Sequence, residues 1–391
     1  MFHLQTFYRQ TVYLYSLSQQ ITINAIVTLD TLVLPRGKRM TRATKTEKIL
    51  ILKPYGKYLT YSNMNFIIKN KKRTTEKEIA FHKVGEIILQ SGNAVSTGAL
   101  ASAGFWGIDL MIMTSSGRPV ATMITLDDCS HVKTRICQYE VYKSRKGVEI
   151  AKQFVLGKIE AQTQMLKKYS LTPFETFDIP SKEQIALLYA ENIDKIRNKL
   201  HAIEAKYSQH YFQQIISLFP KKLRKNWKKR EGFRAYDELN NVFNFAYELL
   251  KWKIFRALIK AKLEPYLGYL HTMQEERPNL VCDFQEIYRC LVDDFLIKYS
   301  QKLKQKHFKK YYEKEYHGKK TPRIYLNHLE TNNLVENLNR YFETKIEIPR
   351  IRRGKKQTIG TLINEETILF AMYLRKEKPT WTPRILIPQK W

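Results

Sequence analysis

The hydrophobic period of this chain changes near residue 127, and that change limits the architectures open to it. Over residues 47–128 the apolar residues come in short runs: KILILKPYGKYLTY, NFIIKNKK, EIAFH, GEIILQ and IDLMIMT. Several alternate, and Gly, Asn and Lys separate them, which is the pattern of short strands joined by turns. The piece 94–107, rich in Ala, Ser and Gly, predicts one short helix between two strands. From Asp127 the spacing becomes helical. HVKTRICQYEVYKSRKGVEIAKQFVLGKIEAQTQMLKKY contains no Pro, and further helices are predicted over 182–218, 237–262, 283–306 and 362–374. Pro173, Pro180, Pro220, Pro265 and Pro278 fall between them, where a residue without an amide hydrogen does least harm. The expected fold class is α+β: a small N-terminal β-rich domain (47–128) followed by a larger all-α domain (129–391) with a basic C-terminal part. Residues 1–46 fit neither pattern. They hold one acidic residue, and Met40, a second potential start, lies just before the first clear strand. The expectation is an N-terminal extension whose order the sequence does not set, residues 1–40 being an upstream piece that the native protein need not contain.

Charge narrows the partners. The 391 residues carry 67 Lys+Arg against 37 Asp+Glu, a formal net charge of +30. With 43% hydrophobic and 12% aromatic residues this is not a disordered polyelectrolyte. The most apolar stretch, 94–114, is interrupted by glycines and by Asp109, so no membrane span is expected. The start, MFHLQTFYRQ, lacks the pattern of a secretory signal, and a cytoplasmic location is expected. Cys129/Cys137 and Cys282/Cys290 are each spaced by eight with no CxxC, which fits no zinc site. They are expected as small buried thiols, a disulfide being the alternative.

The excess charge is local. Residues 301–391 hold 21 Lys+Arg against 9 Asp+Glu, whereas 47–130 hold 10 against 7. Three clusters stand out: KKLRKNWKKR (221–230), KLKQKHFKK (302–310) and IPRIRRGKK (348–356). In the first, Lys221, Lys222, Arg224, Lys225, Lys228, Lys229 and Arg230 surround Trp227, with Arg234 just beyond. Cations around an aromatic ring suit a phosphate backbone and an unstacked base; a solvated helix face or loop is the competing reading. Nucleic acid is the leading partner, ahead of an anionic membrane.

No phosphate-binding glycine loop, HExxH or GxSxG is present. What remains is a set of acids and histidines. Asp283 and Glu286, three apart, share one face of a helix. His271 closes LEPYLGYLH just upstream, and Glu204 lies in HAIEAKYSQHYF on another helix. Two or three carboxylates with one imidazole suit Mg2+ or Mn2+ rather than structural zinc, and such an ion activates a phosphodiester. The alternative makes Asp283 and Glu286 a solvated first helical turn and His271 a loop residue.

The segment LEPYLGYLHTMQEERPNLVCDFQEIYRCLVDD resembles the hallmark of the universal CRISPR-associated integrase family, the nuclease that inserts spacers into CRISPR arrays. DELNNVFNFAYELL is similar to that family's Asn-rich helix, with Asn240, Asn244 and Tyr247 in matching positions; IEAKYSQHYF resembles its first metal motif, with Tyr211 and Phe212 as the aromatic pair. GEIILQSGNAVSTGALASAGFWGIDLMIMTSSGRPV is similar to its β domain. Here Ala205 follows Glu204, where the family often has Gly. The resemblance implies a prokaryotic homodimer made through the β domains, acting on double-stranded DNA with a small ferredoxin-like partner that bridges two dimers. It implies a metal-dependent DNA endonuclease and integrase in which a 3′-hydroxyl attacks a phosphodiester. Glu204, His271 and Glu286 would hold Mg2+ or Mn2+, with Asp283 orienting His271 or a metal-bound water. The basic segment 221–230 would grip DNA. Tyr211 and Tyr247 are candidates to contact a 3′ end, and Asn240 and Asn244 to support the metal shell; helix packing and core hydrogen bonds compete for those four. A non-catalytic basic nucleic-acid scaffold and an RNA-processing nuclease are the alternative functions.

Overall fold

The alternating runs of the first part build two four-stranded sheets in a computed structural model of the chain. The chain divides into two units, residues 1–46 and 47–391. The structure describes residues 48–388 except 53–55, 115–118, 124–131, 177–178, 233–234, 272–276, 313–321 and 348–355. The expectations for residues 1–46, Met40, Cys129, Arg234 and most of the 348–356 cluster lie outside the described residues.

Strands β1 (Lys48–Leu52), β2 (Tyr58–Ser62), β3 (Asn65–Lys69), β4 (Thr75–Ala80), β5 (Val84–Gln90) and β6 (Ala94–Val95) lead into helix α1 (Thr97–Phe105), then β7 (Asp109–Met113) and β8 (Pro119–Met123). One sheet has the order β4-β3-β2-β6, the other β1-β5-β7-β8, the latter parallel except for its β7–β8 edge. Asn63 and Met64 turn β2 into β3 with φ of 44° and 64°. A two-residue hairpin turn of this hand needs φ above zero at both positions, which Asn tolerates and Met opposes. The short helix expected within 94–107 is α1. Ser96 caps it, its Oγ accepting from the Ala99 amide at 3.1 Å.

Side chains alternate across a strand, and that alternation joins the two halves of the protein. Leu50, Leu52, Ile87, Leu89 and Leu110 point into a core shared with α1. Ile88, Met111 and Met113 face the other way, into the core of the helical part. Glu86 and Gln90 share that second face. The Glu86 carboxylate accepts from Arg256 Nη2 at 3.1 Å and stands 3.7 Å from Lys253 Nζ; Gln90 Nε2 donates to Asn332 Oδ1 at 3.1 Å.

The second part is mostly helical: α2 (Val132–Tyr142), α3 (Arg145–Lys168), α4 (Lys182–Ala186), α5 (Arg197–Ile215), α6 (Glu238–Lys260), α7 (Asn279–Tyr299), α8 (His328–Phe342) and α9 (Ile359–Leu374). Two short ribbons interrupt it, β9 (Phe308–Tyr311) with β10 (Arg323–Leu326) and β11 (Lys345–Glu347) with β12 (Lys356–Thr358). Helix α7 is buried along nearly its whole length and packs against α3, α6 and α8. None of the described helices is long and apolar enough to cross a membrane.

Several boundaries differ from those predicted, for local reasons. The helix expected over 182–218 breaks after α4. Buried Lys152 donates through Nζ to the carbonyls of Ala186 (2.7 Å) and Leu188 (3.0 Å), taking oxygens a continuing helix would use. The periodic run after Asp127 splits between α2 and α3. Gly147 lies against the end of α2, where a Cβ would come 2.7 Å from the Tyr142 carbonyl oxygen. Helix α7 starts at Asn279 rather than at 283, so Asp283 and Glu286 lie in its buried interior instead of an exposed first turn. Helix α8 and the ribbons stand where no element, or a continuous helical domain, was expected.

Glu86 ties the sheet to α6, and its carboxyl registers the fit. Burial acts to raise its pKa, but Arg256, then Lys253 and Lys260, outweigh burial and hold it down at about 2. A lowered carboxyl stabilises the fold fully above its ordinary value of 4.5 and loses that contribution as pH falls toward about 2. Glu86→Ala is expected to lower the unfolding free energy by about 3–5 kcal/mol, since it removes the buried carboxylate that Arg256 and Lys253 face. Urea unfolding at neutral pH measures this, and Glu86→Gln should flatten the acid loss between those two pH values.

Candidate active site

Asp283 organises the site from inside. Its carboxylate is fully buried. It accepts from the backbone amides of Tyr269 (2.6 Å), Leu270 (3.1 Å) and His271 (3.0 Å), and it meets His271 Nδ1 at 2.7 Å. The acid on α7 thus holds the preceding turn and the imidazole together. A carboxylate oxygen accepts, so the Nδ1 edge of the ring is held to Asp283 and Nε2 is the nitrogen turned away from it. Gly268 lets the turn sit this close: a Cβ there would come 2.7 Å from the Asn279 backbone. The imidazole of His201, from α5, packs edge-on against His271 with centroids 5.5 Å apart. Burial, and then the like charge of His271, hold His201 below the usual imidazole range.

Glu204 on α5 and Glu286 on α7 converge on one cation, the ammonium of Lys158 from α3. Lys158 Nζ contacts Glu204 Oε1 and lies 2.5 Å from Glu286 Oε2. Ser208 also donates to Glu204, at 2.8 Å, and Arg289 Nη1 lies 2.8 Å from Glu286 Oε1. Burial acts to raise the Glu286 pKa; Arg289, then Lys158 and His271, outweigh it and hold the carboxyl down at about 2. Burial opposes the charge on Lys158 as well, yet Glu286 and Glu204 raise it above the ordinary lysine value. Glu204 and Glu286 therefore meet at one ammonium, while Asp283 holds His271 near enough to act on the Glu286 carboxyl. Among the described residues no group of three or more His, Cys, Asp or Glu side chains stands ready to hold a metal ion. The point where the two glutamates converge is taken by the ammonium.

A second cluster lies further along α7. Asp293 accepts from Tyr211 Oη (2.8 Å) and Tyr247 Oη (2.5 Å). Burial pushes its carboxyl up to about 6, against the pull of both hydroxyls and of Arg230 and Arg289. Tyr211 and Tyr247 are buried, so their hydroxyls face this acid. Arg230 turns inward, its guanidinium 5.2 Å from the Tyr247 ring centroid, and donates to Asn240 Oδ1 (2.9 Å) and Asn244 Oδ1 (2.6 Å). The two asparagines thus fix the end of the basic segment. Leu223 anchors that segment in the core, and half-buried Trp227 packs against Phe212 and Phe243. Lys221, Lys222, Lys225, Lys228 and Lys229 remain exposed beside the site, and Arg224 is half-buried.

The family described as CRISPR associated protein Cas1 matches residues 50–331. The chain belongs to the Cas1 family. It is 31% identical over 238 residues to a CRISPR-associated endonuclease Cas1 of Korarchaeum cryptofilum, covering 57% of this chain and 70% of that protein. It is 28% identical over 251 residues to one of Saccharolobus solfataricus, covering 64% and 75%. Among solved structures, a casposase bound to integration product shares the fold at a TM-score of 0.67 and 18% identity, covering 87% of this chain and 94% of that one. A Cas1 protein of Thermotoga maritima gives 0.66 at 18%, covering 84% and 97%.

Within this Cas1 fold, Lys158 and His201 escaped the reading of the sequence, and Arg289 entered it only as part of a pattern. Lys158 did leave a signal. It stands three and four positions after Val155 and Phe154, on the buried stripe of α3, where an ammonium requires carboxylate partners. Cys137, Cys282 and Cys290 are free thiols, and burial pushes Cys282, beside Asp283, up.

Asp283→Ala would orphan the buried amides of the 269–271 turn. The expected loss is about 3 kcal/mol or more of unfolding free energy, given the usual cost of buried donors without acceptors. Chemical denaturation measures it, and substitution of an exposed acid such as Glu78 should have almost no effect.

Proposed function

We propose that this chain is the DNA-joining endonuclease of CRISPR adaptation, inserting short double-stranded fragments into a repeat array. One observation carries the reading: Glu204 and Glu286, from two helices, converge on a single cation, and the His271 imidazole, held through Nδ1 by Asp283, acts on the same Glu286. A place where two carboxylates, one buried and one half-buried, already embrace a positive charge fits a hard divalent ion, and the oxygen-rich set with one nitrogen suits Mg2+ or Mn2+. Glu204, His271 and Glu286 are the residues that would hold it. When bound, the ion supplies Lewis-acid polarisation of the scissile phosphate and favours the ionised form of an attacking hydroxyl.

The chain's own residues do the rest. Asp283 fixes the ring of His271 through Nδ1. Arg289 steadies Glu286 through Nη1, which meets both carboxylate oxygens. The exposed lysines at 221, 222, 225, 228 and 229 offer phosphate contacts at the edge of the site, which would position a strand without reading its sequence. A 3′-hydroxyl oxygen forms a bond to phosphorus and gives its proton to water, the bond to the original neighbouring oxygen breaks, and the leaving oxygen takes a proton back from water. Such chemistry rests on positioning and charge neutralisation, with no protein nucleophile.

The family membership and the relatives named endonucleases support a nuclease. A casposase bound to integration product, on the same fold, supports strand joining. A Cas6-RT-Cas1–Cas2 complex matching 91% of this chain at a TM-score of 0.62 supports an assembly with a second adaptation protein. Phe105, 79% exposed on α1, with exposed Tyr61, Met64 and Val120, supports a homodimer through the β part.

Glu286→Ala and His271→Ala are expected to lower cleavage and joining of DNA by at least ~10²-fold while melting stays cooperative. EDTA should abolish both activities, and Mg2+ or Mn2+ should restore them on DNA and not on RNA. A wild-type rate in either variant, or in EDTA, would defeat this reading.

A further inference from the structure

We propose that Lys158 is the resident counter-ion of the active site, filling the point between Glu204 and Glu286 in the metal-free protein and leaving it when a divalent ion enters. The inference rests on the metal-site reading above and deepens it. Lys158 arises from α3, which contributes neither a proposed metal ligand nor the turn that carries His271. Its stem runs through the core beside Phe154 and Val155, and its ammonium ends on both glutamates.

Charge and shape both argue for exchange. Glu204 and Glu286 carry two negative charges, and Lys158 and Arg289 already neutralise them. A divalent ion added with both cations in place would leave a buried site with two surplus positive charges, which a low-dielectric interior resists strongly. One cation has to withdraw. Arg289 Nη1 stands against both oxygens of Glu286, at 2.8 and 3.1 Å, from three residues away on the same helix, whereas Lys158 reaches the point from another helix on a flexible four-carbon stem. An opening is present: Glu204, 18% exposed, marks the wetter edge, while Lys158 and Glu286 are 7% and 5% exposed. The ammonium swings out past Glu204. Without Lys158 the metal-free protein would hold two carboxylates facing each other across an empty point, so the lysine preserves the geometry of the site until metal arrives.

The test is a Mn2+ titration of the full chain after EDTA dialysis, following free Mn2+ by its electron paramagnetic resonance signal. Lys158→Met removes the competitor and is expected to bind Mn2+ at least ~10-fold more tightly than wild type, a difference of about 1.4 kcal/mol. Its metal-free form should melt below wild type, and saturating Mn2+ should close most of that gap. Should Lys158→Met not fold, Lys158→Arg keeps the charge and its fork holds both glutamates, so its Mn2+ affinity should fall below wild type. Unchanged or weaker binding by Lys158→Met, or unchanged or tighter binding by Lys158→Arg, overturns the exchange while leaving the metal site standing. A wild-type protein that binds no Mn2+, or a Glu286→Ala variant that binds it equally well, removes the metal site itself and the exchange with it.

Discussion

Helix α7 carries four acids, Asp283, Glu286, Asp293 and Asp294, and all four are buried. A buried carboxylate without partners costs several kcal/mol, so each of these must meet donors brought by other parts of the chain. Asp283 takes three amides and an imidazole from the turn before the helix. Glu286 takes Lys158 from α3, Asp293 takes hydroxyls from α5 and α6, and Asp294 takes Lys168 (2.6 Å) and Tyr169 (2.8 Å) at the end of α3, with Tyr341 of α8 at 3.4 Å. Apolar packing alone would let these helices slide by a turn. The four acids admit one register, and the site is where the first two of them meet His271 and Lys158.

The same economy joins the two halves. A strand buried on both faces serves two cores at once, and Glu86 on its outer face finds its cations on α6. The sheet is thereby fixed to the helix that also supplies Tyr247, Asn240 and Asn244. The basic segment 221–230 is divided by the same logic. Leu223, Trp227 and Arg230 point inward and set its path, and this leaves its lysines free to face a polyanion.

Much of this was legible in the residues. The short alternating runs form the sheets, the Ala- and Gly-rich piece is α1, and the long helices stand close to their predicted places. Of the residues that sequence pattern singled out, Glu204 and Glu286 share Lys158, and Asp283 holds His271. What escaped were features with no period of their own. Lys152 ends α4 by capturing carbonyls from a neighbouring helix, which no local propensity announces. The ribbons β9–β10 and β11–β12 depend on pairing between segments whose own composition is mainly basic. Asp283 and Glu286 read equally well as a solvated helix start, because the Pro before Asn279 hid where α7 begins.

The sequence by itself determined the order of sheet and helix, the basic character and the residue types that could hold a hard cation. Each of these is a property of neighbours along the chain. Only the tertiary structure decided that Lys158 stands between Glu204 and Glu286, that Arg230 serves the asparagines rather than the surface, and that Asp283 holds the turn carrying His271. The reason is physical: satisfaction of a buried charge depends on distances between elements far apart in sequence, and periodicity carries no information about those distances.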